Sequence, residues 1–263
     1  MKPFDCHTHI YSDKFSVDFE QVLARAKRVL SGIIVVGEGP ESNRKIASIV
    51  KANPKFLFAG HGIHPEYAHE FSEKQVEEEI SWIKKQKPAC IGEVGLDYMW
   101  IKRVLPKQIG IKKADEAWAK QKKVFERFIG LADELKIPLN IHSRWATKHV
   151  VETLEKLKPE KAILHAFSGS AAEARRAVAL GYKISIGTSI MYAEQKKDLV
   201  ERLDLRDLLL ETDSPVLAPV KGERNEPANI QLVVKEIARI KNVSEKEVVK
   251  ATNNNVSEYL KIF

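Results

Sequence analysis

Short runs of apolar, often β-branched residues alternate along the chain with longer stretches in which apolar residues recur every three or four positions. The runs Pro3–His9, Ile33–Val36, Phe56–Gly60, Ala89–Glu93, Pro138–His142, Ala162–His165, Lys183–Ile186 and Leu208–Glu211 read as strands buried on both faces, which is the pattern of a parallel sheet. The stretches between them read as helices. In Val17–Leu30, for example, Phe19, Val22, Leu23, Ala26 and Leu30 make one stripe. Ser42–Ala52, Ser72–Lys85, Ala114–Leu135, Trp145–Leu157, Ser170–Leu180, Glu194–Leu203 and Asn229–Ile240 follow the same rule. Strands and helices alternating without a composition break predict an α/β chain folded as a (β/α)8 TIM barrel, with residues 1–263 forming one domain. Ser244–Phe263 adds a C-terminal helix, opened by a capping box of Ser244 and Glu247. Asp97–Lys113 is the least regular stretch, interrupted by Pro106 and Gly110. It reads as a basic loop carrying Lys102, Arg103, Lys107, Lys112 and Lys113, on the barrel face where substrates bind.

Composition narrows the class without changing the fold. The 263 residues, 44% hydrophobic and 30% charged, suit an α/β barrel, which runs to about 250 residues as one domain. The longest apolar runs are too short to cross a bilayer, and Asp5 and His7 interrupt the N-terminus where a signal core would lie, so a cytoplasmic protein without membrane association is expected. Cys6 and Cys90 give no disulfide framework; on the first and fourth strands they are expected to lie far apart as reduced packing residues. The net charge of +7 favours polyanionic partners, nucleic acid among them.

The informative polar residues fall where the strands end. Alternation puts His7 and His9 on one face of the first strand, where both imidazoles can grip one cation. Glu93 ends the fourth strand between glycines, His142 the fifth, His165 the sixth, and Asp213 the eighth. Six nitrogen and oxygen donors converging on one end of a barrel are improbable as core filler, because unpaired buried polar groups are costly. Divalent cations would compensate them. Two ions need a shared carboxylate, and Glu93 can bridge, with His7, His9 and Asp213 on one side and His142 and His165 on the other. Asp213 could also orient or deprotonate an attacking water. Oxygen donors favour Mg²⁺ or Mn²⁺ and imidazoles favour Zn²⁺; the residues leave that choice open.

Taken in order, these strand ends resemble a known family. His-x-His at 7–9, Gly-Ile-His-Pro at 62–65, Gly-Glu-Val-Gly-Leu-Asp at 92–97, Ile-His-Ser-Arg at 141–144, His-Ala-Phe-Ser-Gly at 165–169, Glu-Thr-Asp-Ser-Pro at 211–215 and Arg-Asn-Glu-Pro at 224–227 resemble the TatD-type metal-dependent deoxyribonucleases. The resemblance implies an amidohydrolase-type barrel, one to three divalent cations, and 3′-to-5′ exonuclease activity on single-stranded DNA in repair or turnover. It carries the ligand role to His7, His9, Glu93, His142, His165 and Asp213, with Glu93 and Asp213 as catalytic residues, and it places His64 near the substrate phosphate. Arg144 could hold a phosphate bidentately or simply pair with a neighbouring acid. Arg224, Asn225 and Glu226 read equally as loop-fixing residues or substrate contacts.

Three positions depart from the family pattern. Glu66 stands where a second histidine is common, Trp145 where an acid usually follows His-Ser-Arg, and the 97–113 segment is longer and more basic. Trp145 could stack on a nucleobase or belong to a helix core. The alternative activity is hydrolysis of a small amide, ester or lactone on the same barrel, and a non-catalytic nucleic-acid or protein binder is a third reading. His61, His69 and His149 receive no role, and His69 and His149 are expected at the surface. A monomer is expected.

Overall fold

The apolar runs form eight strands: β1 (Phe4–Thr8), β2 (Gly32–Val36), β3 (Leu57–His61), β4 (Cys90–Gly95), β5 (Leu139–His142), β6 (Ala162–Leu164), β7 (Lys183–Ile186) and β8 (Leu208–Leu210). In the computed structural model, which describes residues 1–260 and 262, they pair in parallel in chain order. At the seam between the last and first strands, the Asp213 N–H donates to His7 O at 2.9 Å and the His9 N–H to Ser214 O at 2.7 Å. The helices between strands are α1 (Phe19–Val29), α2 (Pro40–Ala52), α3 (Glu73–Gln86), α4 (Tyr98–Arg103), α5 (Leu105–Ile109), α6 (Ile111–Leu135), α7 (Thr147–Leu157), α8 (Ala171–Ala179) and α9 (Glu194–Arg202). After β8 come α10 (Ile230–Lys241) and α11 (Glu245–Leu260). This is the expected (β/α)8 architecture with its added C-terminal helix.

Period-two alternation divides each strand between two layers. Ile33, Val35, Leu164, Leu208 and Leu210 point outward and pack with helix residues such as Leu23, Ile46, Phe128 and Val151. Ile34, Val36, Ile163 and Leu209 fill the lumen. Cys6 and Cys90 are free and buried in the same lumen cluster. The expectation that they lie far apart is therefore corrected: an eight-stranded barrel is just wide enough for its inward side chains to meet across it.

α11 closes one end of the lumen with Val256, Tyr259 and Leu260 packed in the cluster of Phe4 and Leu209. Asn255 Nδ2 donates to Leu205 O at 2.9 Å and to Leu208 O at 2.7 Å. The capping box is present, with the Ser244 N–H on Glu247 Oε2 and the Glu247 N–H on Ser244 Oγ. Of the predicted Ser244–Phe263 helix, Lys261 and Phe263 lie outside the described residues. Among the described residues no helix is long and apolar enough to cross a membrane.

The segment read as a basic loop is mostly helical. Asp97 Oδ1 caps α4 by accepting from the Trp100 N–H at 2.7 Å, and Pro106 sits at the start of α5, where a missing N–H costs nothing. Gly110, with φ of 85°, turns the chain into α6. Trp100, Ile101, Leu105, Ala114 and Ala117 give these short helices a small core of their own. The basic side chains of the segment remain exposed.

Candidate metal centre

Glu93 is the hub of the site. Its Oε2 lies 3.4 Å from both His7 Nε2 and His9 Nε2, and its Oε1 lies 2.7 Å from His142 Nδ1, 2.9 Å from His165 Nε2 and 3.4 Å from His64 Nε2. Asp213 Oδ1 faces the same two histidines, 3.6 Å from His7 Nε2 and 3.5 Å from His9 Nε2. All six residues proposed as ligands converge here, and His64 joins them. Arg144 does not: it stands exposed at the rim, and among the described residues it has no side-chain hydrogen bond or ion pair. The crowding expected around Glu93 is real. A Cβ on Gly92 would come within 2.6 Å of Asn140 Cβ, and one on Gly95, whose φ is 141°, within 2.1 Å of His142 O. Asp213, three residues past β8, holds a left-handed φ of 58°, and Ala166, just after His165, one of 44°. Such conformations at non-glycine residues gather at functional sites.

The tautomers sort the imidazoles into two kinds. His7 Nδ1–H donates to Asn140 Oδ1 at 2.8 Å, and His9 Nδ1–H to Val36 O at 3.2 Å. With those nitrogens committed as donors, the two Nε2 atoms, 3.2 Å apart, present lone pairs to the same space. His142 directs Nδ1 at Glu93 while Asp97 Oδ2 accepts from its Nε2 at 2.9 Å. His165 turns Nε2 to Glu93 and Nδ1 toward Glu211 Oε2, 3.6 Å away. His64 is the reverse case. Its Nδ1 accepts from the Glu66 N–H at 3.2 Å, which leaves the proton on Nε2, so His64 offers the centre a donor.

This donor set fits divalent cations. Ligands held about 2.0–2.2 Å from one ion near the tetrahedral angle stand about 3.3–3.6 Å apart. The pairs among His7, His9 and Glu93, and those of Asp213 with the two histidines, span 3.2–3.6 Å. Three groups have ligand-capable atoms mutually within 4.8 Å: His7, His9 and Glu93; His7, His165 and Asp213; and His64, Glu93 and His142, in the last of which the proton on His64 Nε2 makes that histidine a hydrogen-bond donor and not a ligand. His7, His9 and His142 each have an outer hydrogen-bond partner of the kind that orients metal-bound histidines, while His165 Nδ1 faces Glu211 at 3.6 Å without bonding it.

The charges are strongly coupled. Burial alone would drive the Glu93 carboxyl up, but His165, His64, His7 and His142 hold it well below the usual range. Burial likewise opposes the low Asp213 pKa, which its bond with His9 and the neighbouring imidazoles maintain. Burial disfavours charge on His165 and His142, yet Glu93 and Glu211 carry the first up to about 10, and Asp97 and Glu93 carry the second up to about 9. In the metal-free centre these imidazoles therefore hold protons, which a bound cation would displace.

Several functional residues escaped the sequence reading. Asn140 and Glu211 stand two positions before His142 and Asp213, so the signal was the same period-two alternation continued one layer deeper. Asp5, two before His7, accepts from the Thr212 N–H at 3.0 Å and from Thr212 Oγ1 at 2.6 Å, and burial pushes its carboxyl up to about 8. Asn225 Nδ2 donates to Thr188 Oγ1, Thr212 O and Val216 O, and Arg224 holds Asp18 bidentately. Both fix loops. The expected surface position of His69 is corrected, since it is half-buried against the Trp100 ring, while His149 is exposed. Trp145 is not helix core: α7 begins at Thr147, and the indole is 57% exposed.

A parallel (β/α)8 barrel with a histidine–carboxylate cluster at its C-terminal strand ends is an amidohydrolase-like barrel. The chain belongs to the TatD-related DNase family, whose model matches residues 4–261. It is 35% identical over 268 residues to the human deoxyribonuclease TATDN3, covering 98% of this chain and 93% of that protein. It is 34% identical over 271 residues to the uncharacterized metal-dependent hydrolase YabD of Bacillus subtilis, covering 98% and 99%. The crystal structure of YjjV, a TatD homologue from Escherichia coli, superposes with a TM-score of 0.86 at 27% identity, covering 98% of this chain and 97% of that one.

Proposed function

We propose that the protein is a divalent-metal-dependent phosphodiesterase that trims single-stranded DNA from its 3′ end, using the whole barrel as one catalytic domain. The observation that carries this reading is the convergence of His7, His9, Glu93, His142, His165 and Asp213 on one buried point, with Glu93 shared between two groups of donors. Two divalent cations held there, Mg²⁺, Mn²⁺ or Zn²⁺, with a third possible, supply Lewis acidity at a phosphoryl oxygen and a lowered pKa for the attacking water. His7, His9 and Asp213 would hold one and His142 and His165 the other, with Glu93 contributing to both. Asp213 accepts the water's proton. His64, with its Nε2–H aimed into the centre, donates to a non-bridging phosphate oxygen. Arg144, exposed and without a salt bridge among the described residues, takes a backbone phosphate at the rim. The net charge of +7 draws the strand in, and the deoxyribonuclease name of the human relative points to the same substrate.

A cleft of about 710 Å³ opens beside His9 and is lined by Tyr11, Lys14, Glu38, Lys45 and Tyr67. Its size suits a terminal nucleotide, and also a small amide, ester or lactone. A cytoplasmic monomer acting in DNA turnover or repair completes the reading.

The test is a nuclease assay on chelator-stripped protein reloaded with Mg²⁺, Mn²⁺ or Zn²⁺, using 3′- and 5′-labelled single strands. Stepwise loss of 3′ nucleotides, abolished by Glu93→Gln and Asp213→Asn, is the expected result. An uncut strand with metal-loaded protein refutes DNA as the substrate and moves the assay to small amides, esters and lactones.

A further inference from the structure

Trp145 is a large exposed aromatic side chain that no role above absorbs. It follows the ligand His142 by three positions and is 57% exposed. Its backbone is left-handed, with φ of 55°, a conformation rare for bulky residues. The turn is pinned by the Ala146 N–H on Ser143 O at 2.9 Å and by the Tyr98 N–H on Arg144 O at 3.0 Å. A helical backbone at this position would carry the ring in line with α7, whose buried face holds Val150, Val151 and Leu154. The left-handed turn instead leaves it exposed to water, three residues past His142. The Arg103 guanidinium lies 5.5 Å from the ring centroid. Among the described residues neither Arg103 nor Arg144 has a carboxylate within ion-pair distance, although the Arg144 charge reaches Glu66, so the exposed indole has one arginine against its ring and a second at the preceding position.

We propose, resting on the DNA reading above, that Trp145 is the stacking platform for an unpaired nucleobase next to the scissile phosphate, with Arg103 supporting the ring and Arg144 holding the adjacent backbone. Aromatic plane plus flanking cations is the chemistry that binds single strands without reading sequence. A base inside a duplex is stacked on both faces and paired, so the platform favours frayed or single-stranded ends, where the base beside the scissile phosphate can leave its neighbours.

The test pairs a substrate deletion with a protein deletion. Metal-loaded wild type, Trp145→Ala and Trp145→Phe are compared on single strands carrying one abasic nucleotide at each of the last three 3′ positions. At one position the missing base should lower wild-type kcat/KM by about 5- to 150-fold. Trp145→Ala should lose a similar factor on the intact strand, the two losses should not add, and Trp145→Phe should retain most of the rate. Wild type should also favour single strands over blunt duplexes by more than Trp145→Ala does. Additive losses, or an intact rate in Trp145→Ala, overturn the platform while leaving the nuclease reading standing. Wild type that fails to cut DNA removes both. If Trp145→Ala instead converts a dimer to a monomer in sedimentation, with strand cleavage unchanged, the exposed indole is a contact between copies and the proposal is wrong.

Discussion

Replacing Asn140 with leucine would change neither a proposed ligand nor a substrate contact, yet it should weaken the metal centre. The side chain is fully buried, accepts from His7 Nδ1–H at 2.8 Å, and donates through Nδ2 to Cys6 O at 3.0 Å. Leucine fills similar space and leaves both partners unsatisfied in a dry layer. Each such group costs about 1–3 kcal/mol, so the fold should lose about 2–6 kcal/mol, read by urea unfolding. His7 would also lose the bond that keeps its proton on Nδ1 and its lone pair on Nε2. Outer-shell substitutions of this kind lower metal affinity about 10- to 100-fold, which is about 1.4–2.8 kcal/mol. The assay is competition for Zn²⁺ between stripped protein and a chromophoric chelator. Asn140→Asp separates the two effects: it keeps an acceptor for His7 and loses the donor to Cys6 O. Affinity should recover in Asn140→Asp while stability stays reduced. A folded Asn140→Leu protein with metal affinity within twofold of wild type would refute the tautomer argument.

Other outcomes follow from the same geometry. With His142 carried to about 9 and His165 to about 10 from an ordinary 6.5, the bound protons stabilise the metal-stripped fold fully below about pH 6.5, and this is lost as pH rises through 9 to 10. The Tm of chelator-treated protein should fall over that interval while apparent metal affinity climbs; a rising Tm contradicts the assignment. Asn225→Ala removes the donor shared by Thr188 Oγ1, Thr212 O and Val216 O, and should cost about 2–4 kcal/mol in unfolding and lower kcat by loosening the Asp213 turn. Arg144→Ala should raise KM for DNA and flatten the slope of log KM against log salt by about 0.7, the share of one single-strand phosphate; an unchanged slope removes Arg144 from phosphate binding. Tyr259→Phe deletes the hydroxyl bond to Gly181 O at 2.7 Å, and should lower stability by about 1 kcal/mol without touching activity, because α11 closes the lumen away from the site.

How much of this was legible in the sequence differs by layer. Strand order and the barrel followed from apolar runs alternating with amphipathic stretches, because parallel strands buried on both faces leave no other pattern. His7, His9, Glu93, His142, His165 and Asp213 stood out because polar residues closing apolar strands need compensation. Asn140, inside β5, and Glu211, one residue past β8, have partners that only the closed barrel supplies. Asp97 reaches His142 only through the turn from β4 into α4, which spacing does not specify. The helices within 97–113 were obscured because proline and glycine read as breakers, whereas here they start one helix and separate two. Trp145 fits the periodicity of α7 so well that only its left-handed backbone shows it outside the helix.

The account rests on the claim that these side chains form a two-cation centre bridged by Glu93. Crystals of the protein soaked in Mn²⁺ and measured at the manganese edge test it directly. Two anomalous peaks are predicted, one among His7, His9 and Asp213 and one between His142 and His165, both in contact with Glu93, with at least one lost in Glu93→Gln. A map without anomalous density among these residues, from protein shown to carry manganese in solution, would contradict it.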